Sequence, residues 1–215
     1  MFGSLPLSDL VAKSRTLYTN ARDDAGINAT LTTDFGFDPG HFDAGLALVE
    51  EVSALDADQQ REYGEQFVAT EKAQQAVADL RALYSAHRRL GRAAHRRGSA
   101  AYNALGLSGN TPDERARLLA DADAFYRAIE DDPTLADGVR GLTPTIVGKA
   151  RDAVEDARAA MDAQTQEAGE AQRATALRDD AVARLRAHAG ELAEVAKIGL
   201  ADRPQLRERL GLLER

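Results

Sequence analysis

The chain has no cysteine and no tryptophan, and its 215 residues include only six prolines and two methionines. Without cysteine there is no disulfide framework, no thiolate zinc site and no cysteine nucleophile. Aromatic residues make up 5% of the sequence, and β-branched residues rarely cluster. This argues against a sheet-built core and for an all-helical one. Lysine is scarce as well: Lys13, Lys72, Lys149 and Lys197 are the only four, and arginine supplies the remaining basic charge. No segment approaches the ~18 consecutive apolar residues that a spanning helix requires. Met1 to Lys13 lacks the basic start and apolar core of a signal peptide. A cytoplasmic protein without membrane attachment is expected. The formal net charge of −8 opposes broad binding to nucleic acid or anionic lipid, so any such contact must be local. Catalytic signatures are missing too, with no G-x-S-x-G elbow, glycine-rich phosphate loop or H-E-x-x-H pair. The expectation is a non-enzymatic chain that needs no cofactor.

What is present is a repeat. QQREYGEQFVAT at Gln59 to Thr70 and QTQEAGEAQRAT at Gln164 to Thr175 align without a gap. They share Gln59/Gln164, Glu62/Glu167, Gly64/Gly169, Glu65/Glu170, Ala69/Ala174 and Thr70/Thr175. A chain that repeats itself carries its own internal comparison. Residues 1–109 read as a first helical repeat and 110–215 as a second, together forming one pseudo-twofold folded unit.

Each repeat has the same helix signals. Phe37, Asp38, Pro39 and Phe42 occupy N′, N-cap, N1 and N4, and Leu142, Thr143, Pro144 and Val147 repeat those roles. From these starts an apolar spacing averaging about 3.5 residues runs through Phe42, Val49, Val52, Gln59, Tyr63, Phe67, Val77 and Leu80. In the second copy it runs through Val147, Val154, Gln164, Val182 and Leu185. The spacing predicts two long helices, about 39–97 and 144–201, on the order of 85 Å each if unbroken. They are expected to pack antiparallel as a coiled coil, with shorter helices at each end. The alternative is a compact bundle in which each long segment breaks in its middle, near Leu55 to Asp58 in the first. Gly64 and Gly169 would let the backbones approach closely at a crossing.

The shorter elements follow the same logic. Ser8 is positioned to cap a first helix bearing Leu10, Val11, Leu17 and Tyr18, matched by Leu118, Leu119, Phe125 and Tyr126 in the second copy. Thr111, Pro112 and Glu114 read as a capping box opening that second helix. A loop or single turn is expected around Ile27 to Leu31. Short helices over Ser99–Leu105 and Asp202–Leu210 should close at Gly106 and Gly211.

Two clusters invite chemistry. Arg88, Arg89, Arg92, Arg96 and Arg97 form a basic run at the end of the first long helix that the second copy does not keep. It could hold an anion or nucleic acid at that end of the molecule only. The bland account has arginines favoured by the helix dipole and balanced by the following acids Asp121, Asp123, Glu130, Asp131 and Asp132. The second cluster is a pair of i, i+3 carboxylates, Glu62 with Glu65 and Glu167 with Glu170, which a metal-binding bundle would project inward. No Glu-x-x-His element accompanies them, and a solvated face explains them as well. Tyr18 and Tyr126 read as core, and His41 and His188 have no assignable partner. The reading that results is a helical structural or interaction module whose protein partner, oligomeric state and process the sequence does not name.

Overall fold

A computed structural model describes residues 2–212. Among them are seven α-helices and no strand: α1 Leu7–Asp23, α2 Ala25–Ala29, α3 Pro39–Ala94, α4 Ala100–Ala104, α5 Arg115–Asp131, α6 Pro144–Gly199 and α7 Pro204–Arg209. Helices α3 and α6 are each 56 residues long, and α1 and α5 each have 17. Both long helices run without interruption through Gly64 and Gly169, so the mid-helix break does not occur. They stop two or three residues earlier than the spacing suggests, at Ala94 and Gly199.

The start signals work as chemistry requires. Asp38 Oδ1 accepts from the Gly40 amide at 2.9 Å, and the Phe37 ring stacks on Phe42 with centroids 6.2 Å apart, a capped and stapled N-terminus. At α6 the Ile146 amide donates to Thr143 Oγ1 at 3.4 Å, while Leu142 and Val147 are both buried.

The chain divides into two compact units, Met1–Tyr63 with Glu170–Arg215, and Gly64–Gly169. Each draws on both repeats. The first unit packs α1 and α2 beside the opening half of α3 and the closing half of α6, with Leu10, Leu17, Tyr18, Phe42, Leu185 and Leu192 in its core. The second packs α5 beside the closing half of α3 and the opening half of α6, around Leu80, Tyr84, Leu118, Phe125, Tyr126 and Val154. Each of these large side chains stabilises by about 1.5–3 kcal/mol when removed from water.

The repeated Gln and Thr join the long helices inside each unit. In the first, Gln59 Nε2 donates to Thr175 Oγ1 at 3.3 Å, and Gln59 Oε1 accepts from Arg178 at 2.5 Å. In the second, Gln164 Nε2 lies 3.5 Å from Thr70 Oγ1. The Gln of one repeat thus meets the Thr of the other, so the shared letters mark one antiparallel register.

Several local expectations are corrected. Tyr63 and Phe67, placed in the apolar seam by the spacing, are exposed. A Cβ placed on Gly64 or Gly169 would meet nothing within 4 Å among the described residues, so neither glycine serves a close approach. Ser8 does not cap α1; Pro6 holds the N-cap position without a side-chain bond. The Thr111 box does not form either, since α5 opens at Arg115 behind Glu114 and the Thr111 hydroxyl pairs with Ser85 at 3.1 Å. Of the loop or single turn expected at Ile27–Leu31, the helical form is the one present. Asp24 accepts from the Gly26 and Ile27 amides and opens α2, which runs on into a π-helical turn, Thr30–Asp34. The two short closing helices end as expected, at Gly106 with φ +56° and Gly211 with φ +71°.

Candidate functional site

The basic run at the end of α3 divides into two groups. Arg88 is 3% exposed, and its guanidinium donates to the carbonyls of Gly106 (3.1 Å) and Ser108 (2.7 Å) while lying 5.4 Å from the Tyr84 ring centroid. Arg92 donates to Leu107 O at 2.8 Å and to Gly109 O. These two side chains fasten the loop after α4 to α3, and Leu107 O also accepts from Tyr102 OH at 3.2 Å. Arg89, Arg96 and Arg97 are exposed, and among the described residues no hydrogen bond or ion pair occupies their guanidinium groups. Of the acids expected to balance the run, Asp121, Asp123 and Glu130 face other arginines. Asp123 pairs with Arg151 and Arg127, and Glu130 with Arg151. Arg117 approaches Asp121 within α5.

The carboxylates are divided between the units. Glu62 and Glu170 belong to the first, where with Arg61 and Arg173 they rim a pocket of about 280 Å³ over Leu55, Ala174 and Leu177. Glu65 and Glu167 belong to the second, with carboxylate oxygens within 4.8 Å of each other. The pocket mixes both charge signs, as a solvated face does, and no histidine joins either pair.

A feature the sequence did not disclose is a buried tyrosine–histidine pair in each unit. Tyr18 OH lies 2.6 Å from His188 Nδ1, and Tyr126 OH lies 2.9 Å from His87 Nδ1. Both hydroxyls are fully buried and need a partner. We assign the hydroxyl as donor in each, since the reverse would leave a buried O–H without an acceptor. Burial pushes both phenols above the ordinary tyrosine range, and nearby Glu191 pushes Tyr18 further. Burial also lowers His87, His188 and His41. The His41 ring stacks on His188 with centroids 4.0 Å apart, and this neighbour lowers His188 again while Glu191 opposes it.

No known protein family, curated protein or solved structure matches the chain. The site must therefore be read from its own geometry. The tyrosine recurrence was visible in the sequence, but the histidine partners were not. At the offset that aligns the long helices, His87 falls on Leu192 and His188 on Leu83.

A cleft lies in the second unit. It measures about 440 Å³ and is formed by the end of α5, a 3-10 turn over Pro133–Ala136 and the start of α6. Ile129, Leu142 and Val147 form its apolar wall, and Glu130 and Asp137 stand at its rim. The turn touches the end of α3, where His95 Nε2 lies 2.9 Å from Leu135 O. The His188 and His87 imidazoles each face a tyrosine hydroxyl.

Proposed function

We propose that the chain is a non-enzymatic, internally duplicated helical scaffold of the cytoplasm that binds protein partners along its long helices. The observation that carries this reading is the set of large apolar side chains outside the two cores. Leu177 and Ile198 are 53% and 69% exposed in the first unit, and Phe67 is 63% exposed beside Val68 in the second. Single exposed apolar residues are ordinary. Here, however, a bulky aromatic and its β-branched neighbour stand on a helix that already has a complete buried stripe, as a partner-facing second stripe would. The matched lengths of α1 with α5 and α3 with α6 support the duplication, and the long helices supply extended surface. No helix among the described residues is long and apolar enough to cross a membrane.

The test is capture of partners on the tagged full chain, comparing wild type with Phe67→Ser/Val68→Ser and with Leu177→Ser. Helicity is checked first by circular dichroism. A stoichiometric partner held by wild type and lost by a folded variant supports the reading. Equal retention by all three proteins, or no retained partner, overturns it.

A further inference from the structure

The second unit carries a surface whose charges are arranged for a copy of itself. Its basic half is the end of α3, where Arg96 and Arg97 are exposed and have no side-chain partner among the described residues. Its acidic half is the segment from the end of α5 through the 3-10 turn. There Asp131 and Asp137 are likewise exposed, with no ion pair among the described residues. The halves touch. His95 reaches Leu135 O at 2.9 Å, and Leu90 Cδ1 would lie 3.5 Å from a Cβ on Gly141. Opposite charges on two elements in contact remain unpaired with each other. Each half also carries apolar surface: Leu90, 38% exposed, on the basic half, and the 440 Å³ cleft walled by Ile129, Leu142 and Val147 on the acidic half.

We propose that this face binds the same face of a second copy as a twofold dimer, with Arg96 and Arg97 of each chain set against Asp131 and Asp137 of the other. A twofold interface requires a patch that complements itself under rotation, and a charged face meets that requirement when it holds both signs. Other occupants fit worse. Nucleic acid would meet the acidic turn, and an acidic or basic partner would meet one half of like charge. Arg140, the one cation on the connection between α5 and α6, stands beyond the acidic stretch and leaves its sign unchanged. The corresponding end of α6 carries Glu191, Glu194 and Lys197 in place of the arginines. Only one face per chain is therefore suitable, and association closes at two copies instead of propagating. Exposed charge pairs of this kind set register and partner choice, while the desolvated apolar surface supplies the strength.

The inference rests on the scaffold reading, in which exposed helical surfaces bind protein, and its test separates the two. Sedimentation equilibrium of the full chain at micromolar concentration should give twice the 23.1 kDa chain mass. Arg96→Glu/Arg97→Glu and Asp131→Arg/Asp137→Arg should each weaken the dimer tenfold or more. An equimolar mixture of the two variants should restore it, because each repulsive pairing becomes attractive. All four positions are exposed, so folding should be unaffected, and circular dichroism verifies this. A single-chain mass for wild type, or a dimer indifferent to both reversals, overturns the proposal. So does a monomer that binds a labelled single-stranded oligonucleotide through Arg96 and Arg97, which would assign the basic end to an anion. A monomer that still captures a Phe67-dependent partner overturns the dimer alone and leaves the scaffold reading standing.

Discussion

Replacing helix glycines by alanine should give opposite results at different positions, and the sign follows from what each new methyl meets. At Gly64 and Gly169 it meets nothing within 4 Å among the described residues. Each substitution then recovers the intrinsic helix preference of alanine, about 1 kcal/mol, and the pair about 2 kcal/mol. For a chain of this size that corresponds to a rise in melting temperature of roughly 4–8 °C. At Gly45 the methyl would stand 2.2 Å from Tyr18 Cε1 and 2.4 Å from Cζ. The ring has little freedom to retreat, because it is fully buried and its hydroxyl is held by His188 at 2.6 Å. An overpacking cost of about 1–3 kcal/mol therefore offsets or exceeds the ~1 kcal/mol propensity gain. Gly45→Ala should melt at or below the wild-type temperature, by up to about 8 °C for a net loss of 2 kcal/mol. The assay is thermal unfolding by far-ultraviolet circular dichroism at matched protein concentration. A lower melting temperature for Gly64→Ala/Gly169→Ala would mean that a neighbouring backbone does approach there. A clear rise for Gly45→Ala would show that Tyr18 does not rest on α3, and would refute the packing of the first unit.

Three further outcomes follow from the buried polar groups. Tyr18→Phe and Tyr126→Phe should each destabilise by about 1–3 kcal/mol in urea titrations, since each leaves a histidine nitrogen without its donor; no effect would remove the pairs as structural elements. His41, His87 and His188 are held below their ordinary pKa, each chiefly by burial, so the unfolded chain binds more protons than the folded one in mild acid. Their contribution is fully present above the unfolded value of about 6.5 and is lost as pH falls below it; urea midpoints that stay level from pH 7.5 to 5 in wild type, with carboxylate effects subtracted using a His87→Gln/His188→Gln variant, would contradict it. Arg88→Met should loosen residues 105–109 and raise their amide exchange at least tenfold, whereas Arg96→Gln/Arg97→Gln should change stability by less than about 0.5 kcal/mol; equal effects would dissolve the distinction between structural and free arginines.

The elements most legible in the sequence were those whose signals are local and written twice. Phe37-Asp38-Pro39 and Leu142-Thr143-Pro144 start the long helices where they should, because cap, proline and staple act within one turn. The sustained apolar spacing from Phe42 to Leu80 carried the continuous reading of α3. Signals written once fared worse. Ser8 and Thr111 have cap chemistry but do not occupy cap positions: the helices start at Leu7 and Arg115, and the Thr111 hydroxyl pairs with Ser85. Basic composition likewise did not separate Arg88 and Arg92 from Arg96 and Arg97. That separation depends on where the carbonyls of residues 106–109 lie, a long-range fact with no local trace. Gly64 and Gly169 suggested a close crossing because they recur, yet a recurring residue need not touch anything.

The tyrosine–histidine pairs show what the two units share and where they differ. Tyr18 and Tyr126 sit at matching positions on α1 and α5, each with its hydroxyl sealed in a core. Their partners do not match: relative to the long-helix alignment, His188 lies four residues, about one turn, before the position that His87 occupies. Residue 45 differs in the same comparison, being glycine where the second copy has Ala150. Gly45 admits the Tyr18 ring against the α3 backbone, and a ring seated differently directs its hydroxyl to a different turn of the opposite helix. The need for an acceptor is common to both units, and each meets it with whichever turn its own packing presents. Moving the histidine by one turn, as in Leu83→His/His87→Leu, should therefore not satisfy Tyr126 unless Ala150→Gly accompanies it. Recovery of stability in the triple variant over the double, measured by urea unfolding, would tie the glycine to the choice of turn; no recovery would leave the two differences unconnected.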